Sequence, residues 1–267
     1  MKRRGKITLY ILFAILMVAL VVAANVVRSN STLKGVATKI DYRDADTLLQ
    51  ACELDTLVYT KMPQLTRQKI KEVDLKAVRQ LVDSNPYVAD SRVTISVDGT
   101  LQVTARQRVA VMHLFMENGD LYFDNTGCVM PSRGDLIADV PVVNGDLKTI
   151  PAGNALQWNL KRLADNEKTR KCGLAMAWRL SCFLHDNERY GSLFDQIYIE
   201  HDNNLVAVPK VGSFVVEVGD ADNLERKFGN LDAMVNQGLP LTGWERYSRI
   251  SIKYVNQIVC TKKLINK

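Results

Sequence analysis

The strongest constraint on this chain is an apolar block, residues 7–27, in which only Thr8, Tyr10 and Asn25 carry polar groups. At about 1.5 Å per residue, a helix of that length reaches about 30 Å, the thickness of a bilayer's hydrocarbon core. Its thirteen Leu, Ile, Val and Phe residues favour insertion by roughly 4 to 8 kcal/mol. The competing reading is a cleaved signal peptide, with Val22-Ala23-Ala24 as its processing site. The run exceeds the usual signal core of about 7 to 15 residues, which points to an uncleaved anchor. Lys2, Arg3, Arg4 and Lys6 precede the span, and no comparable block follows it. By the positive-inside rule the N-terminus is then cytoplasmic and the bulk of the chain lies outside, in a periplasm-like compartment. The expected organisation begins with a basic stub, residues 1–6, and a transmembrane helix, residues 7–27.

The rest of the chain is long enough for one large or two ordinary domains. With 47% hydrophobic and 24% charged residues, it reads as globular rather than disordered. The net charge of +6 does not argue for nucleic acid, because four of those charges sit in the stub. What remains is too small and too dispersed for a footprint on phosphates. Five cysteines, at positions 52, 128, 172, 182 and 260, lack Cys-x-x-Cys spacing. They read as buried free thiols acting as small hydrophobes, with disulfides an open alternative in an exported chain.

Residues 28–34, containing Ser29-Asn30-Ser31-Thr32, read as a flexible exit from the bilayer. Residues 36–42 read as a short strand, and Leu48, Leu49, Leu54, Leu57 and Val58 suggest a helix that Pro63 interrupts. Leu75, Val78, Leu81 and Val82 recur at helical spacing until Pro86 ends the pattern. Val93, Ile95 and Val97 then alternate before Asp98-Gly99, as do Leu101, Val103 and Ala105 after it. Period-two alternation around a dipeptide that supplies positive φ predicts a β-hairpin. Strand, helix, helix, strand, strand makes a small α+β unit whose two helices cover one face of its sheet.

The helix, Asn85-Pro86-Tyr87-Val88, the hairpin with Asp98-Gly99-Thr100-Leu101 and then Gln107-Arg108 stand directly behind a single N-terminal span. In that order they resemble the POTRA domain of the FtsQ/DivIB family of bacterial division proteins. Family members carry proline where this chain has Ala110, and alanine can continue the strand. The resemblance extends through Asn118-Gly119-Asp120-Leu121-Tyr122-Phe123-Asp124-Asn125-Thr126-Gly127. That segment is similar to the Gly, aromatic, Asp, x, x, Gly run opening the family's β domain. The resemblance implies an α+β chain in which linker 28–34 leads into a POTRA domain of β-α-α-β-β order, residues 35–108. A mixed β domain with flanking helices, residues 109–267, then follows.

Within that second part, Pro141-Val142-Val143 before Asn144-Gly145 reads as another meander strand. Residues 155–163 and 173–184 are helical by spacing, with Leu156, Leu160 and Leu163 on one face and Leu174, Trp178 and Cys182 on another. Residues 195–200 and 204–208 flank His201-Asp202-Asn203 as a hairpin, and a strand over 213–218 precedes a helix over 223–237 that Gly238 stops. Residues 249–261 read as one closing strand, with Ile250, Ile252, Tyr254, Ile258 and Cys260 on one face and an interruption at Asn256. A last strand has at most one neighbour from its own chain, so its free edge can accept an added strand. The resemblance implies that a bitopic partner of the FtsB or DivIC type adds its strand there, with an FtsL-type protein in the same assembly. The run Ile250-Ser251-Ile252-Lys253-Tyr254 is similar to the family's own and implies partner contacts at Lys253 and Tyr254. Gln257 and Ile258 complete the expected partner-binding set.

Catalytic constellations are missing from the sequence. His113, His185 and His201 lie far apart without metal-ligand spacing. Ser31-Thr32-Leu33-Lys34 matches Ser-x-x-Lys but lacks its companion motifs, since Lys148-Thr149 ends in Ile150. Asp44 with Asp46, and Asp135 with Asp139, read as solvated loop charges, and Arg106 and Arg108 as solvated or inter-domain side chains. The expectation is a non-enzymatic protein with no cofactor, metal or small-molecule substrate. By resemblance, such a protein scaffolds partners at the division septum and influences the septal peptidoglycan synthase indirectly. The alternative is another anchored POTRA protein, acting in secretion or outer-membrane assembly.

Overall fold

An unbroken helix, α1 (Lys2–Asn30), opens the chain, and its stretch Tyr10–Asn30 is long and apolar enough to cross a membrane. The side chains of residues 10–27 are all exposed, and an apolar helix with no side covered by protein suits lipid. The computed structural model describes residues 2–43, 45–117, 119–134, 136–147, 154, 157–238 and 243–263. The chain is a mixed α+β protein that divides into two compact units, Met1–Arg43 with Leu49–Gln107, and Asp44–Leu48 with Arg108–Lys267.

The first unit follows α1 with β1 (Gly35–Asp41), α2 (Ala51–Lys61), α3 (Leu75–Asp83), β2 (Val88–Ile95) and β3 (Thr100–Gln107). Its sheet has the order β1-β3-β2, with β1 parallel to β3 and β2 antiparallel to it. Leu101, Val103 and Ala105 face the helices, where Leu54 and Val58 of α2 and Val78 and Val82 of α3 are buried. Burying each such leucine or valine is worth roughly 1.5–3 kcal/mol. α2 stops just before Pro63, and α3 starts at Asp74, whose carboxylate accepts from the N–H groups of Lys76 and Ala77 at 3.0 Å each. That cap satisfies donors which the helix itself leaves unpaired.

Two local expectations change here. The hairpin turn spans Ser96 to Gly99, with Gly99 N–H donating to Ser96 C=O at 3.1 Å. Only Gly99 has positive φ, at 90°, so the turn is the three-residue type with a bulge, not a two-residue turn on Asp98-Gly99. Val97 consequently sits at the tip and is 86% exposed instead of joining the buried row. Nor are residues 28–34 a free tether. α1 runs through to Asn30, Leu33 is buried, and Ser31 C=O, Leu33 N–H and Lys34 N–H bond to Ile70, Gln68 and Gly99.

The second unit holds a nine-stranded sheet. It comprises β4 (Ala110–Leu114), β5 (Leu121–Asp124), β6 (Val129–Pro131), β7 (Val142–Gly145), β8 (Phe194–Ile199), β9 (Leu205–Pro209), β10 (Val215–Gly219), β11 (Tyr247–Ser251) and β12 (Val259–Lys262). Between them come α4 (Leu160–Asp165), α5 (Gly173–Asp186), α6 (Glu188–Gly191) and α7 (Leu224–Ala233). The strand order is β12-β11-β10-β9-β8-β7-β4-β5-β6. β4, β5 and β6 form the expected antiparallel meander, but β7 lies parallel to both β4 and β8. A strand that reaches its neighbour through helices returns in the same direction. α4 to α6 carry that crossover from β7 to β8, and α7 carries another from β10 to its parallel neighbour β11. α5 packs on β4, β8 and β9, burying Leu174, Ala177, Trp178, Leu180 and Leu184. Phe228 of α7 meets Phe183, Tyr190 and Phe194 at ring-centroid separations of 5.0, 5.2 and 5.8 Å.

α4 begins at Leu160, capped by Asn159, later than its spacing predicts. Asn118, Asp44, Asp135, Ala155, Leu156 and Lys148-Thr149-Ile150, which carry parts of other expectations, lie outside the described residues. All five cysteines are free. Cys52 is exposed and the other four are only half-buried. Arg106 pairs with Asp90 on the open face of its sheet. Arg108, in contrast, is not solvated: its Nη1 lies 2.7 Å from the Oδ2 of Asp124, a residue 3% exposed.

Candidate partner-binding edge

Residues 249–261 do not form the single strand their alternation suggests. β11 and β12 pair antiparallel as a hairpin, joined by a loop over residues 252–258. The break has a visible cause in α7. Asn230 donates to the Val255 C=O at 2.8 Å, and Arg226 donates to the Asn256 carboxamide oxygen at 2.9 Å. With its carbonyl and side chain drawn to a helix, this stretch cannot also lie in a ladder.

The four expected contact residues therefore share one loop, with different surroundings. Tyr254 is 52% exposed. Gln257 is exposed and its N–H donates to the Tyr254 C=O at 3.4 Å. Ile258 is half-buried against the core, which gives it a packing role. Lys253 lays its aliphatic stem across Gly219, where a Cβ would come within 2.6 Å of Lys253 Cγ. Gly219 also has a φ of 79°, so only glycine fits there without strain. A groove of about 580 Å³ runs between this loop and α7, lined by Arg226, Asn230, Met234, Gln237, Asn256 and Gln257.

β12 is an end strand of the sheet, paired only to β11 among the described residues. In an antiparallel ladder alternate residues exchange both bonds with the neighbour. Lys263 N–H donates to Arg246 C=O at 3.0 Å, and continuing that phase through the register sets Thr261 and Val259 on the bonded positions. The N–H and C=O groups of Cys260 and Lys262 consequently point away from β11, and no backbone group bonds to them among the described residues. Val259 beside them is 45% exposed. Sequence alternation alone missed these two residues, because the phase depends on where the ladder starts.

Behind the hairpin, Arg249 of β11 pairs with Glu200 and lies 3.8 Å from Glu217. Burial works to raise the Glu200 carboxyl, but bonds from Arg249 and Asn204 outweigh it and hold the group below its ordinary value. A polar cleft of about 890 Å³ opens here, lined by Lys253, Glu200, Glu217 and Asp220. His201 Nδ1 lies 2.6 Å from Asp146 at its rim. Among the described residues no group of three or more His, Cys, Asp or Glu could hold a metal ion. Ser31 Oγ donates to the Arg28 C=O at 2.7 Å as part of the α1 end, and Asp46 accepts from the Asp139 N–H. Burial, with Asp186 and Asp124 adding to it, pushes the Cys182 thiol up to about 12, which keeps it protonated and poorly nucleophilic at neutral pH.

The chain thus combines a helix long and apolar enough to cross a membrane, a small α+β unit and a long mixed sheet whose end strand β12 has one neighbour among the described residues. The chain matches the profile of the FtsQ/DivIB C-terminal related family over residues 110–261. It belongs to the FtsQ/DivIB family of cell division proteins, whose members are non-enzymatic. A comparison with curated proteins finds no match.

Proposed function

We propose that this protein is a bitopic scaffold of the cell division assembly, with a cytoplasmic stub, one transmembrane helix, a POTRA domain and a partner-recruiting β domain outside the membrane. Partner capture occurs by strand addition at β12, where an extended segment of an FtsB- or DivIC-type protein pairs with the outward groups of Cys260 and Lys262. Main-chain bonds supply affinity in this mode, and side chains beside the edge supply specificity. Tyr254 and Gln257 flank the incoming strand from the loop, Lys253 holds that loop in place, and Ile258 ties it to the core. An FtsL-type protein joins through the same partner, and septal peptidoglycan synthesis is influenced through the assembly rather than by chemistry in this chain.

The observation carrying this reading is the outer side of β12, which has no strand beside it among the described residues. Proline at an outward position removes a free N–H without breaking a bond to β11, whereas proline at an inward position costs the hairpin itself. Cys260→Pro and Lys262→Pro should each abolish co-purification of the full-length protein with its FtsB-type partner while the melting temperature stays within a few degrees. Thr261→Pro should lower both. Wild-type capture by Cys260→Pro and Lys262→Pro would overturn strand addition at this edge.

A further inference from the structure

We propose that the β2–β3 hairpin tip rests on the lipid headgroup layer, so that the first unit is held rigidly against the bilayer instead of hanging from a tether. The inference rests on α1 being a membrane anchor and concerns what its end is fastened to. Arg28 is the first charged residue after the apolar block of residues 7–27, so it lies at the hydrocarbon boundary. Its Nη2 donates to the backbone C=O of Ile95 at 3.2 Å and of Ser96 at 3.0 Å. No carboxylate pairs with it among the described residues.

Those two carbonyls are the end of β2, and Val97 follows Ser96 directly, one Cα step of about 3.8 Å further. Val97 is 86% exposed at the tip of the turn. A second set of bonds fixes the same corner, because Ile70 N–H donates to Ser31 C=O at 2.9 Å and Lys34 N–H to Gly99 C=O at 3.0 Å. The helix end thus cannot swing away from the hairpin without breaking both sets. The membrane that accepts α1 must then pass beside Val97.

The chemistry of the corner suits phospholipid headgroups. Lys34, Lys69 and Lys71 are exposed around it and pair with no carboxylate among the described residues. Amines at this level meet phosphate oxygens, while an apolar tip reaches towards the upper acyl chains. Two exposed carboxylates, Asp98 and Glu72, oppose these amines. Asp98 is engaged by its own loop, accepting from Ser96 Oγ and from Thr100 Oγ1 and N–H, and the three amines outnumber the pair.

Tryptophan quenching in nanodiscs tests the contact with the full-length chain. Trp is placed at Val97, at Phe13 inside the anchor, and at Lys39, which sits four ladder positions beyond the turn. The unsubstituted chain, whose own tryptophans all lie in the second unit, supplies the background to subtract. In discs of phospholipid brominated high on the acyl chain, V97W should lose more than half its added emission and K39W almost none. Adding Arg28→Gln, which removes one of the two sets of bonds and leaves the backbone set, should recover part of the V97W emission while F13W stays quenched by mid-chain bromines. F13W quenched with V97W untouched would overturn the lipid contact and leave the anchor standing. F13W unquenched would overturn both. V97W and K39W quenched alike would mean general adsorption, and would also overturn the contact.

Discussion

Lys227 is a lysine buried in α7, 1% exposed, with its ammonium bonded to the Val218 C=O, the Asp220 C=O and the Asp220 carboxylate at 3.1, 2.8 and 2.6 Å. Such a charge survives burial only because every proton has an acceptor. Burial works to raise the Asp220 carboxyl, but the Lys227 bond and the Asp222 N–H overcome it and hold the group below its ordinary value. A carboxylate with a depressed folded pKa contributes stability that is complete above its unfolded value, near about 3.9. That contribution is lost as pH falls through the lower folded value. Asp220→Asn should therefore cost about 1 kcal/mol at neutral pH, a modest figure because Asp220 is half-exposed and screened. The gap between variant and parent should close below a pH of about 3.9. Urea midpoints of the detergent-solubilised chain, taken on both sides of that value, check it. A gap that persists in acid would mean the loss comes from packing and not from charge.

At the scale of elements, the run Asp120-Leu121-Tyr122-Phe123-Asp124-Asn125-Thr126-Gly127 acquires a physical reason. Asp124 Oδ1 accepts from Thr126 N–H, Thr126 Oγ1 and Cys128 N–H at 2.9, 2.7 and 2.8 Å, closing the turn from β5 to β6. Its C=O accepts from Trp178 Nε1 at 2.9 Å, tying that turn to α5, and its Oδ2 holds Arg108. Asp124→Ala would strand a half-buried guanidinium and three turn donors, so it should cost about 3 kcal/mol. Asp124→Asn keeps the Oδ1 acceptor and should cost about half as much. Thermal unfolding of the two variants tests this order, and equal losses would show that the ion pair, not the turn, is what matters. Sequence spacing marked Asp124 as part of a motif but gave no sign that it would pair with Arg108, sixteen residues earlier in the chain. Pairing across a sheet depends on register, which local alternation does not fix.

For the whole molecule, family membership sets the expected phenotype. Depleting the protein should give filaments with unconstricted septa, measured as cell length and septum count by microscopy, and short rods dividing normally would sink the division role. The fold and the candidate edge were only partly legible beforehand. Local periodicity and composition were enough for α1, for α3 though not for its Asp74 cap, for both hairpins, β2–β3 and β8–β9, and for most strand positions. Each of these depends on residues within one or two turns of one another. Periodicity could not reveal that β7 would lie parallel between β4 and β8, that residues 249–261 would split around α7, or that Arg28 would fasten the end of α1 to Ile95 and Ser96. Those outcomes are set by hydrogen-bond partners far apart in sequence, and a backbone group stays free or becomes paired according to which distant strand or helix arrives beside it. The outward face of Cys260 and Lys262 is such a case, because alternation named the strand while the ladder chose the side.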